Sequence, residues 1–339
     1  MVDNKPAKKH HYIPQMLLSR FTPNSSNNSM LWALDHKTIK QFSIYPKNIA
    51  FENDLYKIEK VNEDSQIKPD YLEQKVFAAI ESKVAPVIKW IDEKECLPNK
   101  YSEDFCTLME FICLLFVRTP RFKENTNEQF DKVLKWYLNT DLAHMKQYES
   151  YRAQTENTLK QFDPSLNFEG YKKYVKKVTS DNYQFEWTQN HFLKFLLEAW
   201  KENTPYFFKR TWDIYIADSN DNDNFISCDN PVSLDWSDPN FNSGLYGVGL
   251  ALKKTQISIP LTKKIALIGT FENEGKVVKA SRYEVAAINS LTGMNAKRFV
   301  FSPYKNFYWL DTVQKVCRSE ELIRLKRQES LGSFKEATQ

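Results

Sequence analysis

Glycine is scarce in the first two thirds of this sequence. The 339 residues include eight glycines, of which only Gly170 precedes residue 205, whereas six lie between Gly244 and Gly293. Glycine destabilises helices and serves the turns that join strands. This distribution predicts an α+β protein with a mainly helical N-terminal two thirds and a strand-rich C-terminal third. We expect the two regions, residues 1–205 and 206–339, to form one integrated domain.

Long apolar runs and paired cysteines are also lacking. The longest apolar run, Phe111 to Val117, is far too short to span a membrane, and no apolar stretch follows the charged N-terminus as in a signal peptide. The five cysteines are scattered and contain no Cys-x-x-Cys pair. The sequence therefore predicts a soluble cytoplasmic protein with no membrane partner.

Neither sign of charge dominates. Lysine and arginine number 47 against 43 acidic residues, a net charge of +4. This balance excludes a protein that coats DNA by charge alone, but it allows a local basic patch.

The familiar catalytic signatures are absent as well. The sequence has no phosphate-binding Walker loop, no Gly-x-Gly-x-x-Gly, no His-Glu-x-x-His, no nucleophile elbow and no zinc-ligand spacing. Asp54 with Glu73-Gln74-Lys75 imitates a nuclease arrangement, but that arrangement requires strands and this stretch has helical periodicity. Any reaction must depend on a less common set of side chains.

Hydrophobic periodicity places the main elements. Residues 30–34 and 39–44 alternate around a polar turn and predict a β-hairpin, and apolar residues spaced by three or four from Leu72 to Ile91 predict a helix of about six turns. Further helices are predicted up to about Trp200 and strands after Pro205, with a terminal helix from Glu320 to Arg327.

Polar residues that could carry chemistry occur in four places. His10 and His11 precede Pro14, which can begin a short helix whose N-terminus favours an anion. Glu73 and Glu81 lie beside the apolar stripe of the predicted helix, where carboxylates can bind a metal, hold an arginine, act as acid and base, or pair with neighbouring lysines.

The other two places are Arg118 and the pair Asp229-Asn230. Arg118 follows an apolar helix, where a buried arginine needs a carboxylate or phosphate partner and an exposed one simply suits the helix end. Asp229-Asn230 precedes Pro231 after a predicted strand, and this is typical of a turn or of a site at a strand end. Separately, residues 171–177 interleave lysine with tyrosine, as in a nucleic-acid-binding surface or a solvated helix face.

Several short motifs occur in an order that resembles a mainly prokaryotic family catalogued as domain of unknown function 4238. The motifs are His11-x-x-Pro14 with Leu18 and Phe21, Asn53-Asp54-Leu55-Tyr56, Leu72-Glu73 with Ile80-Glu81, Arg118-Thr119-Pro120, Ser227-Cys228-Asp229-Asn230-Pro231-Val232, Ile259-Pro260-Leu261-Thr262, Ile288-Asn289 and Ala296-Lys297-Arg298. The resemblance carries no established activity. It implies that the polar motif members form one shared site, namely His11, Glu73, Glu81, Arg118, Asp229 and Asn230.

Three functions fit these residues. The first is a hydrolase of nuclease or phosphodiesterase type, with His11 as general base or metal ligand, Arg118 on the phosphate, and a divalent cation held by Glu73, Glu81 and Asp229. The second is a non-catalytic module that binds a nucleic acid, a nucleotide or a protein, in stress or phage defence, with Arg118 bridging Glu73 or Glu81. The third is an inert scaffold in which the same residues join the two regions.

Overall fold

The computed structural model describes residues 8–59, 67–165, 167–218, 223–238, 241, 247–272, 274–321 and 323. Helices and strands both contribute substantially, so the α+β class is confirmed. No helix within these residues is both long enough and apolar enough to cross a membrane. The predicted terminal helix from Glu320 extends beyond the described part of the chain.

The N-terminal segment forms four short strands, one short α-helix and two 3-10 helices, Ser19–Phe21 and Pro46–Asn48. Strand β1 (Lys9–His11) pairs antiparallel with β4 (Phe51–Asn53), and between them lie α1 (Gln15–Leu18), β2 (Leu31–Asp35) and β3 (Lys40–Ile44). β2 and β3 pair antiparallel, which confirms the predicted hairpin. The short helix predicted at Pro14 is also present, with Pro14 as its N-terminal cap.

Helices occupy the middle of the chain. The helix predicted from Leu72 to Ile91 is present, but its first part, Leu72–Phe77, is π-helical before it continues as α2 (Ala78–Lys94). The remaining helices of this region are α3 (Glu103–Val117), α4 (Pro120–Gln147), α5 (Glu149–Phe162), α6 (Phe168–Val178) and α7 (Gln189–Phe208). α7 passes through Pro205, so the strands begin slightly later than predicted.

α3 begins and ends where local chemistry requires. The Ser102 hydroxyl caps its N-terminus by accepting the N–H of Phe105 over 3.2 Å. Its last helical residue is Val117, and Pro120 then opens α4, where a missing N–H is harmless. This geometry leaves Arg118 as the C-terminal cap of α3.

The C-terminal part supplies most strands of two larger sheets. Its elements are β5 (Thr211–Ala217), β6 (Ser227–Cys228), β7 (Ser233–Trp236), β8 (Thr255–Pro260), β9 (Ile265–Thr270), β10 (Val277–Ala280), α8 (Arg282–Asn295), β11 (Phe299–Ser302), β12 (Tyr308–Leu310) and β13 (Val316–Arg318). One sheet has the order β10-β5-β9-β8-β7, and the other, β3-β2-β11-β6, joins the N-terminal hairpin to C-terminal strands. Strands therefore lie at both ends of the chain.

The chain divides into two compact units. The first comprises residues up to Pro120 and from Leu193 onward, and the second comprises Arg121–Phe192. One core cluster of the first unit contains Leu34, Ile226, Cys228, Val300, Phe307 and Ile323, whereas the core of the second contains Leu142, Met145, Tyr171 and Val175. The integration of regions 1–205 and 206–339 into one domain stays a prediction.

Candidate functional site

The two adjacent histidines of strand β1 lie in different environments. His10 is buried, and its Nδ1 accepts the backbone N–H of Tyr56 over 2.9 Å while its ring stacks on the Tyr56 ring. His11, the next residue of the strand, is half-buried, with its ring 5.4 Å from that of Phe51. Because neighbouring strand residues point to opposite faces, His10 serves the core and His11 remains the candidate for chemistry.

Arg118 is the centre of a buried polar cluster. Its side chain is 0% exposed, and its Nη1 donates to Oε1 of Glu81 over 2.8 Å. Its Nη2 donates to the carbonyl oxygen of His11 over 2.5 Å and lies 3.6 Å from Oε2 of Glu73. Arg118 thus bridges both glutamates, whereas the sequence led us to consider a bridge to one or the other as part of the non-catalytic alternative.

Two aromatic rings enclose the guanidinium group of Arg118. Its Cζ lies 4.6 Å from the ring centre of Phe77 and 5.6 Å from that of Tyr56. The Tyr56 hydroxyl also donates to the carbonyl oxygen of Arg118. Because the guanidinium group is enclosed on all sides, a substrate phosphate has no access to it, and Arg118 can act only by positioning its neighbours.

Glu73 has an unusual electrostatic environment. Burial raises the pKa of its carboxyl to about 7, and the charge of Arg118, which lowers the pKa, does not fully compensate. The Glu73 side chain as a whole is still 15% exposed, although its Oε2 atom is buried. A carboxyl group that titrates near neutral pH can donate or accept a proton under physiological conditions.

The environment of His11 lowers its pKa, whereas that of Glu73 raises its pKa. Burial lowers the pKa of His11, and the positive charges of Arg118 and Lys9 lower it further, against a hydrogen bond to the backbone of Lys47. The imidazole is therefore neutral at pH 7. The backbone N–H of His11 donates to Oε1 of Glu73 over 3.2 Å, which ties the two residues together.

Three buried side-chain atoms of this cluster lack a hydrogen-bond partner among the described residues. They are Nε2 of His11, Oε2 of Glu73 and Nε of Arg118. Buried polar atoms nearly always have a hydrogen-bond partner, so several that lack one in a single cluster call for an explanation. One explanation is that a ligand or a reacting molecule supplies the missing partners.

Asp229 is engaged by the backbone. Its carboxylate accepts the N–H groups of Lys297, Arg298 and Phe299 over 2.8, 2.7 and 2.9 Å. These bonds join the turn after β6 to the start of β11. Asp229 therefore connects two chain segments, and its carboxylate is engaged by backbone N–H groups.

Asn230 connects the same turn to two other segments. Its Oδ1 accepts the hydroxyl hydrogen of Thr119 over 3.0 Å, and its Nδ2 donates to the carbonyl oxygen of Asn295 over 3.3 Å. The predicted residues thus form two groups, with His11, Glu73, Glu81 and Arg118 in the first and Asp229 and Asn230 in the second. The Thr119 bond links them, because Thr119 follows Arg118 directly.

The described residues contain no group of three or more histidine, cysteine, aspartate or glutamate side chains that could hold a metal ion. Glu73 and Glu81 face Arg118, while Asp229 faces backbone N–H groups. The divalent cation considered for these three carboxylates therefore has no ligand set in the described part of the chain.

Three residues of the site were not predicted from the sequence. Tyr56 and Phe77 enclose Arg118, and Thr119 joins the two groups. Tyr56 and Thr119 both lie in motifs already noted for their order along the chain, so the motifs contained a signal that polarity alone did not rank. Phe77 is indistinguishable in the sequence from an ordinary core residue.

The family model described as "Protein of unknown function (DUF4238)" matches residues 9–306. The chain belongs to the DUF4238 family. The matched range contains every residue of both groups, from His11 to Asn230. Neither the curated proteins nor the solved structures provide a match to this DUF4238 chain.

Proposed function

We propose that this DUF4238 protein is a hydrolase of phosphodiesterase or nuclease type in which His11 and Glu73 exchange protons with the substrate. The observation that carries the proposal is that Nε2 of His11 and Oε2 of Glu73 are buried in one cluster of the described residues without a hydrogen-bond partner. Oε2 of Glu73 has only the ion pair with Nη2 of Arg118, at 3.6 Å. Glu81 and Arg118 are the positioning residues. Glu81 accepts a hydrogen bond from Arg118, and Arg118 also donates to the carbonyl oxygen of His11.

The protonation states suit hydrolysis at neutral pH. Neutral His11 removes a proton from water as the water oxygen bonds to phosphorus, and the protonated Glu73 gives its proton to the leaving oxygen as the old P–O bond breaks. Burial keeps the pKa of His11 below its usual value and raises the pKa of Glu73 to about 7. Base and acid therefore coexist in the required forms.

Positive charge near His11 supports an anionic substrate. Lys8 and Lys9 immediately precede the strand end, and Lys47 is the residue whose backbone contacts His11. All three lysines are exposed. Exposed cations attract phosphate groups and raise the rate of encounter. We place this activity in the prokaryotic cytoplasm, where the free thiols of all five cysteines would stay reduced.

The test is hydrolysis of bis(p-nitrophenyl) phosphate and of a single-stranded oligonucleotide. We expect His11→Ala and Glu73→Gln each to lower kcat by about 100-fold or more, the usual contribution of an acid or base. The matched controls His144→Ala and Glu169→Gln change exposed residues of the second unit and should keep full activity. Equal activity of all four variants would refute the proposal.

The pH profile adds a second test. Activity should fall above about pH 7 as Glu73 loses its proton, and it should also fall at acidic pH, below the ordinary histidine pKa, as His11 gains one. Glu73→Gln should remove the alkaline limb. A profile whose alkaline limb is unchanged in that variant would exclude Glu73 as the acid.

A second function, nucleic-acid binding without turnover, is favoured by the surface of α6. Tyr171 and Val175 face the core of the second unit, while Lys173, Tyr174, Lys176 and Lys177 are exposed. Lysines beside an exposed aromatic ring suit a single strand, since the lysines neutralise phosphates and the ring stacks on a base.

Binding of a fluorescent single-stranded oligonucleotide at several salt concentrations tests this alternative. Replacing Lys173, Lys176 and Lys177 with glutamine should weaken binding. It should also reduce the slope of log K against the logarithm of the salt concentration by about 2, which is about 0.7 for each lost phosphate contact. The control carries glutamine at the exposed residues Lys132, Lys146 and Lys160. Unchanged binding after the α6 substitutions would eliminate this surface.

A further inference from the structure

A cleft of about 760 Å³ lies in the first unit, away from the residues of the proposed hydrolase. Its walls come from β7, β8, α8, β11 and the segment around β12. This volume falls within the range of about 300–1,000 Å³ that is typical of small-molecule sites. No residue of either group described above lines it.

Aromatic and aliphatic side chains form most of the lining. Trp236, Phe307 and Trp309 contribute rings, and Leu291 and Leu310 add aliphatic surface. The indole N–H of Trp309 donates to the carbonyl oxygen of Arg318 over 3.1 Å, so the polar edge of this ring already has a partner in the protein. The cleft therefore favours a flat, largely apolar molecule.

Acidic side chains outnumber basic ones in the lining of the cleft. Asp235 and Asp311 line it together with His36, and no lysine or arginine does so among the described residues. Oδ1 of Asp311 accepts the N–H groups of Val313 and Lys315 over 3.0 and 2.8 Å, which fixes the orientation of this carboxylate. Fixed carboxylates beside aromatic faces attract a cation both directly and through the rings.

Gly293 keeps part of the cleft open. It lies in α8 and lines the cleft, and a Cβ atom built on it would meet nothing within 4 Å. Glycine within a helix is less favourable than alanine by up to about 1 kcal/mol. The space beside Gly293 is thus available to a ligand at a small cost in helix stability.

We infer that this cleft binds a small aromatic molecule that carries a cationic amino group. The aromatic part packs against Trp236 and Trp309, and the ammonium group faces the carboxylates of Asp235 and Asp311. The cleft disfavours anionic analogues, because two carboxylates and no lysine or arginine line it among the described residues. This inference does not depend on hydrolysis, since it concerns a different set of residues.

Isothermal titration calorimetry with three indoles of similar size tests the inference. Tryptamine is cationic, indole is neutral and indole-3-acetate is anionic. We expect tryptamine to bind at least about tenfold more tightly than indole-3-acetate, which corresponds to about 1.4 kcal/mol. Equal affinities, or no heat of binding with tryptamine at concentrations on the order of 1 mM, would overturn the inference.

Variants locate the binding. Gly293→Phe fills the cleft and should abolish tryptamine binding, whereas Gly293→Ala leaves most of the volume and should preserve it. Asp235→Asn with Asp311→Asn should remove the preference for tryptamine, while the exposed control Asp181→Asn should retain it. Circular dichroism and thermal unfolding establish that each variant is folded. Undiminished binding to folded Gly293→Phe, or loss of binding in Gly293→Ala, would place tryptamine elsewhere and refute the site.

Discussion

The hydroxyl group of Thr119 donates to Oδ1 of Asn230 over 3.0 Å, although the two residues are 111 positions apart in sequence. This bond joins the end of α3 to the turn that follows β6. Thr119 is 1% exposed, so water cannot easily reach its hydroxyl group, whereas Asn230 is half-buried. The contact therefore connects the group around Arg118 with the group around Asp229.

Thr119→Val should lower the free energy of unfolding by about 1–3 kcal/mol. The substitution keeps the shape of the side chain but leaves the Asn230 oxygen without its donor in a buried place. Urea unfolding measures the change. Thr158→Val, at an exposed helical threonine, is the control and should change stability much less. Equal effects of the two variants would show that the Thr119 bond contributes nothing specific.

Arg118→Lys should lower the free energy of unfolding by about 3 kcal/mol even though it keeps the charge. Lysine cannot reach Glu81 and the His11 carbonyl at the same time, so buried acceptors lose their donors. Arg152→Lys, at an exposed pair with Glu149, should have little effect. The expectation fails if Arg118→Lys unfolds at the wild-type urea concentration.

Glu73→Gln should change how stability depends on pH. The pKa of Glu73 is about 7 in the folded protein against 4.5 ordinarily, so the folded state binds more protons than the unfolded state between these values. Stability from this group is fully present below pH 4.5 and is lost as the pH rises through about 7, by at most about 3 kcal/mol.

Urea unfolding of wild type and Glu73→Gln between pH 4.5 and 8 measures this loss. The variant should lack the decline, because glutamine does not titrate. Glu93→Gln, at an exposed residue of α2, should retain it. A decline of the same size in all three proteins would assign it to other groups.

Gly269→Ala should destabilise the larger sheet by about 1–3 kcal/mol. A Cβ at Gly269 would lie 2.7 Å from the Trp212 ring, which occupies the paired position on β5. Gly170→Ala, in helix α6, is the opposite case, because the atom nearest to its Cβ would be the side-chain oxygen of Asn167, at 3.5 Å. Thermal unfolding should show a lower Tm for the first variant and an unchanged or higher Tm for the second.

Much of the fold follows from periodicity. The hairpin of β2 and β3 and the helical stretches appear where the spacing of apolar residues predicts them. The π-helical geometry of Leu72–Phe77 does not appear in that spacing, because a single wide turn barely alters which residues are apolar. Likewise, Pro205 favours an earlier end to α7, but the helix continues through Pro205 to Phe208.

The site was less predictable, because a sequence pattern indicates on which face of a helix or strand a residue lies but not which residue it contacts. Arg118 contacts both Glu73 and Glu81, whereas the ordered motifs only grouped these residues and left open a bridge to one or the other. The motifs could not indicate that Asp229 accepts backbone N–H groups, since such donors exist at every residue. The enclosure of Arg118 likewise depends on Tyr56 and Phe77, whose rings approach only in the folded chain.

The order of the sheet β3-β2-β11-β6 also constrains how the protein is made. β2 pairs with β11, and the partners Asp35 and Phe299 are separated by most of the chain. At about 5–20 residues per second, a ribosome delivers the second strand on the order of ten seconds to a minute after the first. The N-terminal hairpin must wait with an unpaired edge during this interval, so nascent chains should depend on chaperones until β11 has been synthesised.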